Sequence, residues 1–149
     1  AQHSVLVSQL VPEQYALHGL LHDAAEAYLG DIPKPWKSYV SIRGVDIGEI
    51  EADIEDAIHE RFGLLGGMPE EVWAADFAAL WTERSALMPS EHDWGDIDRM
   101  FGIALQGRQP DDVDLILDRY AGFEPPAIER MSWQWAEQSF IRRFRELTA

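Results

Sequence analysis

The chain has 149 residues, 46% of them hydrophobic, and carries a net charge of −15 from 12 basic and 27 acidic side chains. That length and apolar content suit a single folded domain and exclude a disordered polyelectrolyte. The acidic balance excludes a general binder of duplex nucleic acid, whose affinity would come mainly from Lys and Arg.

Apolar residues follow helical spacing along most of the chain. Residues 2–11 are expected to form a short helix with Leu6, Val7 and Leu10 on one face. Pro12 suits the first turn of a second helix, which Leu17, Leu20, Leu21 and Ala24 carry to about Leu29 before Gly30 stops it. Asp31 to Trp36 is expected to be loop, because its two prolines forbid a continuous helix. A third helix is expected from Asp46, which with Glu49 has capping-box-like spacing. Ile47, Ile50, Ile54, Ala57, Ile58 and Phe62 form its apolar stripe, and Gly63 ends it. Its acidic residues Glu49, Glu51, Asp53, Glu55 and Asp56 read as a solvated face. A fourth helix starts at Pro69, with Glu70 and Glu71 favourably placed near its N-terminus. Val72, Asp76, Leu80 and Leu87 mark one side of it. Residues 88–110 read as loop and short helix, and Asp111 to Tyr120 as helix. Ser132 caps a last helix that carries Phe140, Phe144 and Leu147. No segment shows strand alternation, and the fold expected is all-α, one domain over residues 1–149. No apolar run approaches the roughly 20 residues of a membrane span, and no signal peptide is visible. A cytoplasmic protein without membrane attachment is expected.

The sequence contains no cysteine, so a metal would have to be held by His, Asp and Glu. Four positions stand out: His3, His22, Asp23 and Asp76. His22 and Asp23 are neighbours about 100° apart on a helix, so both reach one ion only if it lies against the helix surface. Two imidazoles and two carboxylates form a mixed site suited to one divalent transition metal, Mn, Fe, Co, Ni or Zn. Glu26 lies one turn after His22 on the same side and could orient a water or take its proton. Asp31 follows in the proline-rich loop as a second candidate acid or base. Lys34 and Lys37 could neutralise phosphate charge, and Trp36 could stack on a base. His18 precedes His22 by one turn and is read as a packing or hydrogen-bonding residue. His59 and His92 are read as surface residues, and Trp73 and Trp81 as core.

The run His22-Asp23-Ala24-Ala25-Glu26-Ala27-Tyr28-Leu29-Gly30-Asp31-Ile32-Pro33-Lys34-Pro35-Trp36-Lys37 resembles the signature of HD-domain phosphohydrolases. It is most similar to the branch of bacterial 5′-deoxynucleotidases and phage deoxynucleotide hydrolases. Gln2-His3-Ser4 resembles that branch's first metal-ligand motif. Ala75-Asp76, followed by Leu80 and Glu83, resembles its last. The resemblance implies an HD-type helical bundle with one divalent metal held by His3, His22, Asp23 and Asp76. It also implies catalytic roles for Glu26 and Asp31, and hydrolysis of a phosphoester or phosphoanhydride in a small deoxynucleotide. Members of that branch carry a segment before the first His, with a basic residue near the phosphate. The chain, which starts Ala-Gln-His, is expected to lack it.

Two products are compatible with this reading. Attack on a 5′-monophosphate releases nucleoside and phosphate, and attack at the α-phosphate of a triphosphate releases nucleoside and tripolyphosphate. A guanosine tetraphosphate hydrolase is less well matched, because Ala27 rather than Asp follows Glu26. A non-catalytic metal or nucleotide sensor is the alternative outside enzymology. Association of the chain with itself is left open.

Overall fold

The computed structural model describes residues 1–64, 66–87 and 128–149, except for the side chains of residues 34, 35, 81 and 85. Helix α1, Gln2–Leu10, buries Leu6 and Val7 as its spacing predicts, together with Ser4 and Ser8. Val11 is extended and ends it. A 3-10 turn at Glu13–Tyr15 leads into α2, Ala16–Leu21.

The continuous helix expected to reach Leu29 does not form. From His22 to Ala25 the backbone bonds tighten to an i→i+3 pattern, with Ala24 N–H donating to the Leu21 carbonyl at 2.9 Å and Glu26 N–H to the Asp23 carbonyl at 3.1 Å. The cause is local. His22 Nδ1–H donates to the Gly19 carbonyl at 2.8 Å, the acceptor that the next α-helical turn would have used. Helix α3, Glu26–Leu29, resumes for one turn and stops at Gly30, whose positive φ of 77° favours glycine.

The segment read as loop holds another single turn, α4, Lys34–Lys37. Pro33 caps it and Pro35 lies in its first turn, where a missing N–H costs nothing because that donor has no helical acceptor. A small antiparallel hairpin follows, β1 Ser41–Ile42 and β2 Val45–Asp46, with Ser41 opposite Asp46 and Ile42 opposite Val45. Arg43 and Gly44 turn it with φ 55° and 83°, the two positive angles of a tight hairpin turn. Two-residue strands are too short to show alternation, so sequence reading passes over them.

Helix α5, Ile47–Phe62, starts at Asp46 as expected, although the Asp46 side chain makes no capping bond. It ends at Gly63 with a left-handed cap, where Leu64 N–H donates to the His59 carbonyl at 2.8 Å. Ile47 is buried, but Ala57 faces outward. His59, expected on the surface, is buried against the His18 ring, 4.6 Å between centroids.

Helix α6 spans Glu70–Leu87. Its buried stripe is Val72, Ala75, Ala79 and Thr82, whereas Leu80 and Leu87 are exposed. The expected side is therefore rotated, because small residues occupy the close contact with α1. Trp73 is half-buried. Helix α7, Trp133–Thr148, is capped by Ser132, whose hydroxyl accepts from Trp135 N–H at 3.3 Å. The helix expected at Asp111 to Tyr120, His92 and the Trp81 side chain lie outside the described residues.

Helix α1 is the hub, packing on α2, α6 and α7. Leu6, Val7, Val11, Ala16, Val72, Ala75 and Ala79 form the core between α1, α2 and α6. Arg143 on α7 reaches α1 by donating to Ser8 Oγ and to the Ser8 carbonyl, each at 3.2 Å. Gln2 bonds both the Glu129 carbonyl, at 2.9 Å, and the Met131 N–H, at 3.2 Å. These ties fix the start of α1, where His3 stands. The described part of the protein is thus overwhelmingly helical, and none of its helices is long and apolar enough to cross a membrane.

Candidate metal centre

Three segments bring His3, His22, Asp23 and Asp76 together. His3 comes from the first turn of α1, His22 and Asp23 from the tightened turn after α2, and Asp76 from the middle of α6. One donor atom each from His3, His22 and Asp23 lies within 4.8 Å of the others. Asp76 Oδ1 is 2.9 Å from His3 Nε2 and 3.6 Å from His22 Nε2. The two imidazole centroids are 5.4 Å apart.

His22 is the most enclosed member, with its side chain 1% exposed. Its Nδ1 is committed to the Gly19 carbonyl, so Nε2 points at the cluster. Asp23 Oδ2 approaches that nitrogen to 3.0 Å, yet no aligned hydrogen bond from the described residues reaches it. The short contact is electrostatic, because it lies off the direction in which an N–H would point. A neutral ring would turn its lone pair toward carboxylate oxygens here. Only a proton on Nε2 or a cation between the groups relieves that conflict.

The electrostatics agree. Burial alone lowers the pKa of His22, but Asp23 and Asp76 outweigh it and raise it from 6.5 to about 10. His3 is likewise lowered by burial and raised more strongly by Asp76 and Glu83, to about 9. Burial works to raise Asp76, but His22 and His3 hold it well below the usual carboxylate range. His18 behaves oppositely: burial and then the neighbouring His59 and His22 lower it to about 4. Its Nε2 is buried without a hydrogen-bond partner among the described residues, which fits packing better than hydrogen bonding.

A cleft of about 830 Å³ opens beside the cluster, lined by His3, Asp23, Glu26 and Asp31 and also by Tyr28, Phe62 and Phe140. Burial, followed by the charges of Asp23 and Asp31, raises the pKa of Glu26 against the opposing pull of Lys37. Among the described residues the cleft wall carries the carboxylates of Asp23, Glu26, Asp31 and Glu137 and neither Lys nor Arg. A phosphate entering it would meet net repulsion unless a cation were present. A larger cleft of about 970 Å³ lies along α1 and α7. It touches the cluster's surroundings only through Glu83, so the chemistry points to the smaller one.

Not every expected site residue gathers here. Lys37 is held by Glu51 through contacts of 2.6 and 2.7 Å, so its charge is already neutralised. Trp36 is exposed, 63%, and does not line the cleft. Lys34 stands on α4, with its side chain outside the described residues. One participant escapes sequence reading, and a second, Glu83, enters it only as part of the motif around Asp76 and without a role. The Gly19 carbonyl orients His22, and no side-chain pattern announces a backbone acceptor. Glu83 Oε2 lies 2.8 Å from His3 Nδ1. Its spacing of seven from Asp76, two helical turns on one face, was the available signal.

No protein-family model matches the chain, and no solved structure matches it. Among curated proteins it is similar to the uncharacterized protein YfdR of Escherichia coli, 45% identical over 87 residues, which cover 58% of this chain and 47% of that protein. It is also similar to the uncharacterized protein RCAP_rcc00048 of Rhodobacter capsulatus, 32% identical over 133 residues, 76% of this chain and 65% of that protein. The chain thus spans less than two thirds of the length of each relative.

Proposed function

We propose that the chain is a divalent-metal-dependent phosphohydrolase with an HD-type helical bundle, acting on a deoxynucleotide phosphate. One observation carries this reading. His3, His22, Asp23 and Asp76 converge from three segments, with the buried His22 Nε2 facing carboxylate oxygens and lacking an aligned partner among the described residues. Two imidazoles and two carboxylates suit Mn, Fe, Co, Ni or Zn better than the all-oxygen sites of Mg or Ca. Such an ion, when bound, supplies Lewis acidity at a phosphoryl oxygen and offsets the negative charge of the cleft.

The chain's own residues perform the remaining tasks. His3, His22, Asp23 and Asp76 would hold the ion. Glu26, with its raised pKa, sits on the cleft wall and takes a proton from the attacking water. The water oxygen forms a bond to phosphorus as the phosphorus–oxygen bond to the leaving group breaks. The proton taken by Glu26 passes to the departing oxygen, relayed by Asp31, exposed on the same wall. Tyr28, Phe62 and Phe140 provide apolar walls for a nucleoside body, the usual composition of a small-molecule site.

The test is a panel of mono-, di- and triphosphate deoxynucleotides, assayed with each of several divalent ions and with the products resolved. Metal-dependent release of nucleoside with either phosphate or tripolyphosphate is expected. No turnover of any member with any ion would overturn the reading.

A further inference from the structure

Both imidazoles of the cluster present Nε2 to its centre, and each is anchored through Nδ1. For His22 the anchor is the Gly19 carbonyl at 2.8 Å. For His3 it is Glu83 Oε2 at 2.8 Å, while His3 Nε2 faces Asp76 Oδ1 at 2.9 Å. A carbonyl can only accept, so His22 is fixed as the Nδ1–H tautomer. His3 is less constrained, because both of its ring nitrogens face a carboxylate. When neutral it has one proton, for which Glu83 and Asp76 compete.

We propose that Glu83 is a positioning residue that wins this competition, keeping the His3 proton on Nδ1 and leaving Nε2 free to bind the metal. The inference rests on the metal-dependent reading above. Glu83 has the advantage in position: its Oε2 lies 2.8 Å from His3 Nδ1, whereas Asp76 Oδ1 divides its pull between His3 Nε2 at 2.9 Å and His22 Nε2 at 3.6 Å. Without Glu83, the neutral ring would place its proton on Nε2 to satisfy Asp76. The lone pair left when the imidazolium gives up a proton would then point away from the cluster, and binding would be weakened. Glu83 does not reach the cleft that holds Glu26 and Asp31, so it acts through His3 and not on substrate.

The decisive experiment combines zinc titration with ring-nitrogen NMR of the histidines. In the zinc-loaded parent protein, His3 should retain its proton on Nδ1. Glu83→Gln should weaken zinc binding by about 10–100-fold, the usual effect of removing the partner of a metal-bound histidine, with helix content unchanged by circular dichroism. Parent-like zinc affinity in Glu83→Gln would overturn the proposal. So would a zinc-loaded parent in which His3 carries its proton on Nε2, a measurement that decides the matter even if the variant fails to fold. Failure of the parent to bind zinc or any other transition ion is distinguishable: it removes the metal-dependent reading itself. Zinc bound with Glu83 silent removes only the positioning role.

Discussion

Gly19→Ala separates the stability of the fold from the integrity of the proposed metal centre. A Cβ at this position would lie 3.2 Å from Ser8 Cα, 3.3 Å from Ser8 N and 3.3 Å from Val11 Cγ2. Two of these atoms are backbone and cannot rotate away, so α1 and α2 would have to part by a few tenths of an ångström. The added methyl overpacks the crossing at about 1–3 kcal/mol. Against this, Ala gains about 1 kcal/mol of helix propensity over Gly, and burying one methyl contributes about 0.8 kcal/mol. The opposing effects nearly cancel. Stability is expected to stay within about 1 kcal/mol of the parent, a few degrees in Tm for a chain of this size. The proposed metal centre has no such compensation. His3 stands on α1, His22 directly follows α2, and the carbonyl that orients His22 belongs to Gly19 itself. Metal–ligand distances tolerate only about 0.2 Å, so separating the helices should weaken transition-metal binding by about tenfold or more, as when a ligand loses its support. Denaturant unfolding of the metal-free protein and a metal titration measure both quantities. A loss above about 3 kcal/mol with unchanged metal affinity would refute the reasoning, because the crossing would then serve the fold and not the site.

Three further outcomes follow from the same geometry. His22→Ala should abolish stoichiometric transition-metal binding, since it removes the most enclosed donor; bound-metal analysis of the purified variant checks this. Glu26→Gln should lower kcat by roughly 10²–10⁴-fold while KM and metal content change little, as steady-state kinetics beside metal analysis would reveal; loss of metal with activity would make Glu26 a ligand. In the metal-free protein, the raised pKa values of His3 and His22, about 9 and 10, stabilise the folded state fully below pH 6.5. That contribution is lost as pH rises through 9 to 10, so unfolding midpoints should fall across this range and flatten in His3→Ala.

The helical character and the cluster were legible in the sequence for the same reason: both are written in side-chain identity at short spacing. The stop at Gly63, the start at Ser132 and the buried face of α1 follow from local chemistry alone. The break at His22 to Ala25 was hidden because a side chain takes over a backbone acceptor there, and helical periodicity in Leu17, Leu20, Leu21 and Ala24 continues across it. The rotated face of α6 was hidden for a packing reason. Hydropathy weights Leu80 and Leu87 above Ala75 and Ala79, yet close helix contact admits the small residues and leaves the large ones outside. His59 was misplaced because its partner, the His18 ring, arrives from another helix. Lys37 has the charge for a phosphate contact, but Glu51, fourteen residues later, occupies it.

The cluster's charge balance leads to a last prediction. At neutral pH the metal-free site holds His3 and His22 as imidazolium ions, stabilised by Asp76, Asp23 and Glu83. Two protons carry the same charge as one divalent ion. Replacing them leaves the charge of the cluster unchanged, so neither form leaves buried carboxylates uncompensated, and the fold does not require the ion to hold the site together. The exchange has a measurable signature. Each bound ion should release close to two protons near pH 7, and affinity should rise up to about 100-fold per pH unit until the imidazoles are neutral. Calorimetric titrations with zinc in two buffers of unlike ionisation enthalpy give the number of protons directly. A value near two requires both histidines to bind through nitrogens that were protonated beforehand. A value near zero would mean that the ion binds without displacing them, and the assignment of His3 and His22 as ligands would fail.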